Sequence, residues 1–262
     1  MEDFKLPLFK TSNPALGQDT FKQYGSGQYG GLIDASARMT LNGTTNKTAI
    51  LLLCALATAA WTWKSFMDTL DPSSVTLQLL VGFLGGMIFA FVTIFKKEWS
   101  PVTAPIYALL EGMALGGISA MMNHYYPGIA FQAVSLTFGT LFVMLFLYRS
   151  GIIKVTDKLR MGIFAATGGI CLFYVASMLL SFFHINFFGS VWGSGVVGIG
   201  FSLFVVAIAA LNLVLDFDFI EQGVNVGAPK FMEWYGAFGI MVTLVWLYIE
   251  ILRLLSKVRS RN

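Results

Sequence analysis

The chain has 262 residues, of which 56% are hydrophobic and 12% charged, and its mean hydropathy is +0.72. Soluble domains carry roughly 25% charged residues, so this composition leaves too little polar surface for a soluble globule and excludes a soluble enzyme. The net charge of +3 excludes the strongly basic face that nucleic-acid binding requires.

Residues 1–46 are polar and rich in Gly, Asn, Thr and Ser. We expect a flexible N-terminal tail here, because this segment has no apolar core. A cleavable signal peptide would need an early apolar stretch behind a basic start. The first hydrophobic run is therefore expected to act as both signal and anchor.

Seven apolar runs follow, and each is long enough to cross a bilayer, which takes about 20 helical residues. The connections between them are short and contain Gly, Pro or Asp, so neighbouring helices must run antiparallel in one bundle. We predict an all-α membrane domain over residues 47–255 and a basic tail over 256–262. The predicted helices are Thr48–Phe66, Val75–Phe95, Val102–Met122, Ile129–Tyr148, Met161–Phe183, Gly195–Leu215 and Trp234–Leu255.

Small residues recur at four-residue spacing in the second and third runs, at Gly82 and Gly86 and at Gly112, Gly116 and Ala120. Such spacing lets helix backbones approach closely in lipid. It is compatible with packing within the chain and with a dimer interface, and packing within the chain is the simpler interpretation.

The distribution of Lys and Arg predicts a cytoplasmic N-terminus, because cytoplasmic loops of membrane proteins are enriched in both. With that orientation, 12 of the 17 basic residues lie inside. The C-terminal tail is also basic, although seven crossings place it outside. Either the tail is tolerated there, or one run is re-entrant and both ends lie inside.

Glu111 lies near the middle of the third run, where ionisable groups are rare and costly. A carboxyl group at that depth is expected to be desolvated, which favours its protonated form and makes it responsive to pH or to a cation. The alternative is a neutral glutamic acid that hydrogen-bonds to a neighbouring helix and holds the bundle together.

A second acidic cluster closes the sixth run. Asn212 and Asp216 are four residues apart and share one helix face, whereas Asp218 and Glu221 share another. Asp216 is the better inward-facing candidate, because Asn212 extends its face deeper into the run. Asp218 and Glu221 are expected to form a solvated helix end.

The seventh run opens with Glu233 and closes with Glu250 and Arg253, an i,i+3 pair for which we expect a structural ion pair. The two histidines, His124 and His184, fall in loops on the predicted outer side. They are too few and too far apart for an intramembrane metal hydrolase, and no enzymatic activity is expected.

Several segments, in this order, resemble the Bax inhibitor family of small membrane proteins, in its bacterial branch with a polar N-terminal extension. The resemblance covers roughly residues 39–255. The segments are Met39–Thr48 (MTLNGTTNKT), Pro105–Gly112 (PIYALLEG), Leu215–Glu221 (LDFDFIE), Ala228–Gly239 (APKFMEWYGAFG) and Trp246–Arg253 (WLYIEILR).

The resemblance implies a seven-helix bundle, with the last helix surrounded by the other six, in a bacterial inner membrane. Better-studied relatives act as pH-sensitive calcium leak channels, and others suppress cell death or modulate a membrane protease. In the leak channels, two aspartates on helices six and seven share a proton. Asp216 matches the first aspartate, but Thr243 or a neighbour stands at the position of the second. Glu111, Glu233 and Glu250 are alternative sources of the second carboxylate.

The leading hypothesis is therefore a leak pathway for calcium, gated by protonation of Asp216 and a partner carboxylate. Calcium would be the permeant ion rather than a bound cofactor, since hard oxygen ligands suit it. A rival hypothesis is a non-conducting regulator that binds another membrane protein, such as a protease, through its basic tails or small-residue helix faces. A third hypothesis is a proton-coupled transporter.

Overall fold

The computed structural model describes residues 37–183 and 189–261. The predictions made for residues 1–36 and for His184 lie outside these ranges. The described part contains seven α-helices that are long and apolar enough to cross a membrane, and one isolated β-bridge between Arg38 and Pro229. The helices are α1 (Leu41–Thr69), α2 (Ser73–Phe95), α3 (Ser100–Tyr125), α4 (Ile129–Arg149), α5 (Asp157–Phe182), α6 (Val196–Asn225) and α7 (Met232–Arg261). The predicted all-α membrane fold is confirmed.

The helices extend beyond the predicted apolar runs at both ends of the chain. α1 begins at Leu41, inside the segment expected to be a flexible tail, because the Thr40 hydroxyl accepts a hydrogen bond from Gly43 N and caps the helix. α1 ends at Thr69, and the next residue, Leu70, has a left-handed φ of 55°. At the other end, α7 continues to Arg261 and includes most of the predicted basic tail.

The basic residues near the C-terminus lie at the opposite end of the bundle from Thr40. Lys257 Nζ donates to Val191 O, in the α5–α6 connection, at 2.8 Å and to Ser202 Oγ, near the start of α6, at 2.9 Å. Arg259 donates to Pro127 O, between α3 and α4, at 2.7 Å. Seven continuous helices and these contacts favour the first alternative, a basic tail on the side away from the N-terminus.

Helix α7 forms the centre of the bundle. Of its most apolar 18-residue window, 67% is buried, compared with 17–44% in the other six helices. Its most extensive contacts are with α1, α3, α4 and α6, whereas α2 packs mainly on α3 and α5 mainly on α6. The central position of the last helix thus agrees with the resemblance.

The small residues of α2 and α3 serve packing within the chain. A Cβ atom at Gly82 would lie 2.6 Å from Leu110 O, and one at Gly116 would collide with the backbone of Ala59 in α1. Thr58 Oγ1 also donates to Leu109 O at 2.7 Å across the α1–α3 contact. These close approaches account for the glycine spacing without a dimer.

Candidate functional site

Asp216 is fully buried between α6 and α7. Thr243 Oγ1 of α7 donates a hydrogen bond to Asp216 Oδ2 at 2.5 Å. One turn earlier, Asn212 is also buried, and its Nδ2 donates to Thr167 Oγ1 of α5 and to Ile208 O, both at 2.9 Å. The face shared by Asn212 and Asp216 therefore points inward, as predicted, and joins α6 to both α5 and α7.

The short α6–α7 connection explains why Asp216 meets Thr243. Gly227 has a φ of 69°, a left-handed conformation that glycine adopts without strain, and the chain reverses there. Asp216 lies nine residues before the last residue of α6 and Thr243 eleven after the first residue of α7, about 14 and 17 Å from the turn at 1.5 Å per residue. In an antiparallel hairpin, these positions come side by side.

The three glutamates considered as partners for Asp216 face other groups. Glu111 is half-buried on α3, and its Oε2 would lie 3.0 Å from a Cβ at Gly86 of α2, so its side chain points away from the α6–α7 contact. Glu233 and Glu250 lie ten and seven residues from Thr243 along α7, about 15 and 10 Å along the axis. The Thr243 hydroxyl, by contrast, lies within hydrogen-bond distance of Asp216.

Glu233 is fully buried at the start of α7 and binds the start of α1. It accepts hydrogen bonds from Thr40 N at 2.9 Å and Thr40 Oγ1 at 2.8 Å. It also forms ion pairs with Lys47 and, at 2.8 Å, with Lys230. Two cations and the favourable position of an acid in the first helical turn compensate the cost of burying this carboxylate.

Residues 37–40 form a strap across the α6–α7 connection. Met39 N donates to Ala228 O at 2.7 Å, and Lys230 N donates to Ala37 O at 2.9 Å. The Met39 side chain is 2% exposed and belongs to the main core. The strap and the Glu233 cluster together hold the first and last helices at one end of the bundle. Sequence reasoning missed this link, because its partners are almost 200 positions apart.

Glu250 forms the predicted ion pair with Arg253, whose NH1 lies 3.0 Å from Oε1. The glutamate is 2% exposed and also accepts a hydrogen bond from Tyr174 OH of α5 at 2.9 Å. The Arg253 guanidinium lies 5.3 Å from the ring centroids of both Tyr174 and Trp192, within the range of cation–π attraction. The structural pairing is confirmed, and the aromatic partners are additions that spacing did not indicate.

The prediction of a solvated acidic end for α6 is wrong for Asp218. Its carboxylate forms an ion pair with the buried Arg160 of α5 and accepts a hydrogen bond from Gln222. Glu221 is exposed, as expected, and accepts a hydrogen bond from Tyr148 OH of α4. These contacts arise because the end of α4 and the beginning of α5 both lie beside the end of α6.

The buried acids are spread through the bundle and are not gathered in one place. Within residues 37–183 and 189–261, no group of three or more His, Cys, Asp or Glu side chains is placed to hold a metal ion. The buried acids are instead distributed along α7 at different depths, each with donors from another helix. Such a set can link changes of protonation to the fit between helices.

A family model described as Bax inhibitor 1 like matches residues 8–260, nearly the whole chain. Searches of curated proteins and of solved structures gave no significant match.

Proposed function

Because this chain belongs to the Bax inhibitor 1 like family, we propose that it is a pH-sensitive leak pathway for cations, with calcium as the permeant ion. Members of the resembled family act as channels or regulators rather than enzymes. The observation that carries the proposal is the fully buried Asp216, hydrogen-bonded to Thr243 at the contact between α6 and the central helix.

Protonation of Asp216 is the proposed gating step. A neutral carboxyl group accepts the Thr243 hydrogen bond and permits close packing of α6 on α7. An ionised carboxylate at this depth is costly to keep from water, so ionisation favours conformations in which the two helices separate and water or a cation reaches the charge. The leak therefore increases as the pH rises.

Thr243 replaces the second aspartate of the paired sensor in this proposal. A hydroxyl group can donate to either state of Asp216, but it adds no charge of its own. The gate thus needs no second carboxyl group at the position of Thr243, where two neighbouring acids would titrate as a coupled pair.

The proposed orientation puts the strap and the Glu233 cluster on the cytoplasmic side of a bacterial inner membrane. Its support is the excess of Lys and Arg at that end of the bundle. Asp216 and Thr243 then lie about 14–17 Å in from the α6–α7 turn, and Asp216 directly follows the predicted apolar run Gly195–Leu215, at the cytoplasmic end of the sixth span.

Calcium flux into liposomes that contain the purified protein, measured with an enclosed dye over a range of pH, tests the proposal. We expect Asp216→Asn to remove the pH dependence and leave the leak low. Asp218→Asn is the matched control, because Asp218 lies two residues away on the same helix and is ion-paired outside the α6–α7 contact. A pH response in Asp216→Asn equal to that of the wild type would refute the mechanism.

The rival proposal is a non-conducting regulator that binds a membrane protein such as a protease. The ion pairs Lys47–Glu233 and Arg160–Asp218 favour it, since each joins two helices of a stable bundle. Absence of any wild-type leak across the pH range, with a membrane protein that co-purifies from native membranes, would support this rival against the channel.

A further inference from the structure

A groove with a volume of about 790 Å³ runs between α1 and α4, with α3 and α7 as its floor. Its walls include Leu53 and Leu56 of α1 and Phe131 and Phe138 of α4, and Leu115 of α3 is part of the floor. The two polar groups of the floor satisfy each other, because Ser119 Oγ and Tyr248 OH lie 2.6 Å apart. The groove therefore offers an apolar surface to the bilayer.

The groove is long and follows the direction of α1. Along α1 its lining extends from Ala49 to Trp63, a rise of about 21 Å at 1.5 Å per residue. A groove of this length lies along the direction in which the acyl chains of the surrounding lipids extend.

One end of the groove lies at the end of the bundle that holds Arg259. It is formed by Ala130 and Phe131, in the first turn of α4. The other end lies at Ala49, about 12 Å along α1 from Leu41. A lipid whose polar end lies near the start of α4 would place its apolar chain along the groove.

A cation lies beside the start of α4, at one end of the groove. Arg259 NH1 donates to Pro127 O at 2.7 Å and NH2 donates to Gln132 Oε1 at 2.9 Å, one residue from Phe131. Both partners are neutral, and no ion pair of the described residues includes Arg259. Its positive charge is available to an anion, and arginine is well suited to phosphate.

We propose that the groove binds one acyl chain of a membrane phospholipid, with the phosphate of that lipid beside Arg259. The apolar lining and the length of the groove favour the acyl chain, and the cation beside the start of α4 selects the phosphate. Because the floor includes Met241 and Leu244 on either side of Thr243, the bound chain contacts the same stretch of α7 that meets Asp216.

The test uses the full chain in phosphatidylethanolamine and phosphatidylglycerol vesicles that contain a phospholipid with a photoreactive diazirine in one acyl chain. After irradiation, mass spectrometry maps the adducts. We expect adducts on the lining residues Leu52 of α1 and Leu115 of α3, and their loss in Ala60→Trp, which fills the groove. The matched control is Ala57→Trp, on the same helix and exposed, but outside the groove lining.

Arg259→Gln tests the headgroup contact. A charge-assisted hydrogen bond contributes about 1.5–3 kcal/mol, so floor adducts should fall by about tenfold or more. Adducts formed by a photoreactive alkane without a headgroup should not change. Unchanged phospholipid adducts in Arg259→Gln would overturn the phosphate assignment.

Two results would overturn the acyl-chain assignment. One is labelling of outward-facing residues such as Phe91 without labelling of the floor. The other is cross-linking of the floor to a second copy of the chain. Neither result depends on calcium flux, so failure of the lipid site and failure of the proposed leak are distinguishable.

Discussion

Replacing Gly82 with alanine would place a methyl carbon 2.6 Å from Leu110 O and 2.8 Å from Ala114 N. Both atoms belong to the backbone of α3, so no side-chain rotation relieves the contact. Since Cβ contacts under 3.0 Å are essentially absent from proteins, α2 and α3 must separate by at least about 0.4 Å. Overpacking of this kind costs about 1–3 kcal/mol.

The gain in helix propensity on replacing glycine by alanine offsets about 0.5–1 kcal/mol of that cost. We therefore expect Gly82→Ala to lower the free energy of unfolding by about 1–2 kcal/mol. Equilibrium unfolding in mixed micelles, followed by circular dichroism, measures this change. The loss arises from close packing of two backbones, which in a membrane holds helices together.

Two glycines provide matched controls. A Cβ at Gly85, one turn along α2, would meet only the end of the Leu110 side chain, at 3.1 Å, and one at Gly139 of α4 would meet nothing within 4 Å. Gly85→Ala is expected to be close to neutral and Gly139→Ala slightly stabilising. Equal stability of the Gly82 and Gly139 variants would refute the packing argument.

Two further predictions concern the polar clusters. Glu233→Ala leaves Lys47, whose side chain is 18% exposed, without its partner, so we expect a loss of about 3–5 kcal/mol in the same unfolding assay. Lys230→Gln should cost less than about 1 kcal/mol, because the Lys230 side chain is 48% exposed. A loss of stability as large as that of Glu233→Ala would contradict this expectation. In the α1–α2 loop, hydrogen bonds from the side chain and the backbone N–H of Ser73 lower the pKa of Asp71. The ionised Asp71 carboxylate thus stabilises the folded protein at pH values above its ordinary pKa, and this stabilisation is lost as the pH falls through its lowered pKa. Ser73→Ala should raise the Asp71 pKa in an NMR titration. An unchanged pKa would contradict the assignment.

Much of the architecture could be predicted from local sequence. The seven helices follow from hydropathy, because a run of about 20 apolar residues has the length and composition of a helix that crosses a bilayer. The inward face of Asp216 follows from its four-residue spacing to Asn212, and the Glu250–Arg253 pair from its i,i+3 spacing. These inferences use only the geometry of a single helix.

The extent of α1 and the strap could not be predicted in this way. The sequence predicts that residues 37–40 belong to a polar tail. In the structure, Met39 lies in the core and Thr40 hydrogen-bonds to Glu233. The polar character of this segment suits its contacts with a buried carboxylate and with the α6–α7 connection. Its composition alone is equally typical of a solvated tail.

The sequence by itself determined the class of protein, the number of helices and which acid of α6 faces inward, because each depends on periodicity within one segment. Only the tertiary structure decided the partners of the acids: Thr243 for Asp216, Lys47 for Glu233 and Arg160 for Asp218. These pairs join different helices, 27, 186 and 58 positions apart, and their meeting depends on how each helix is rotated and shifted against its neighbour. The groove between α1 and α4 likewise exists only once both helices pack on α7.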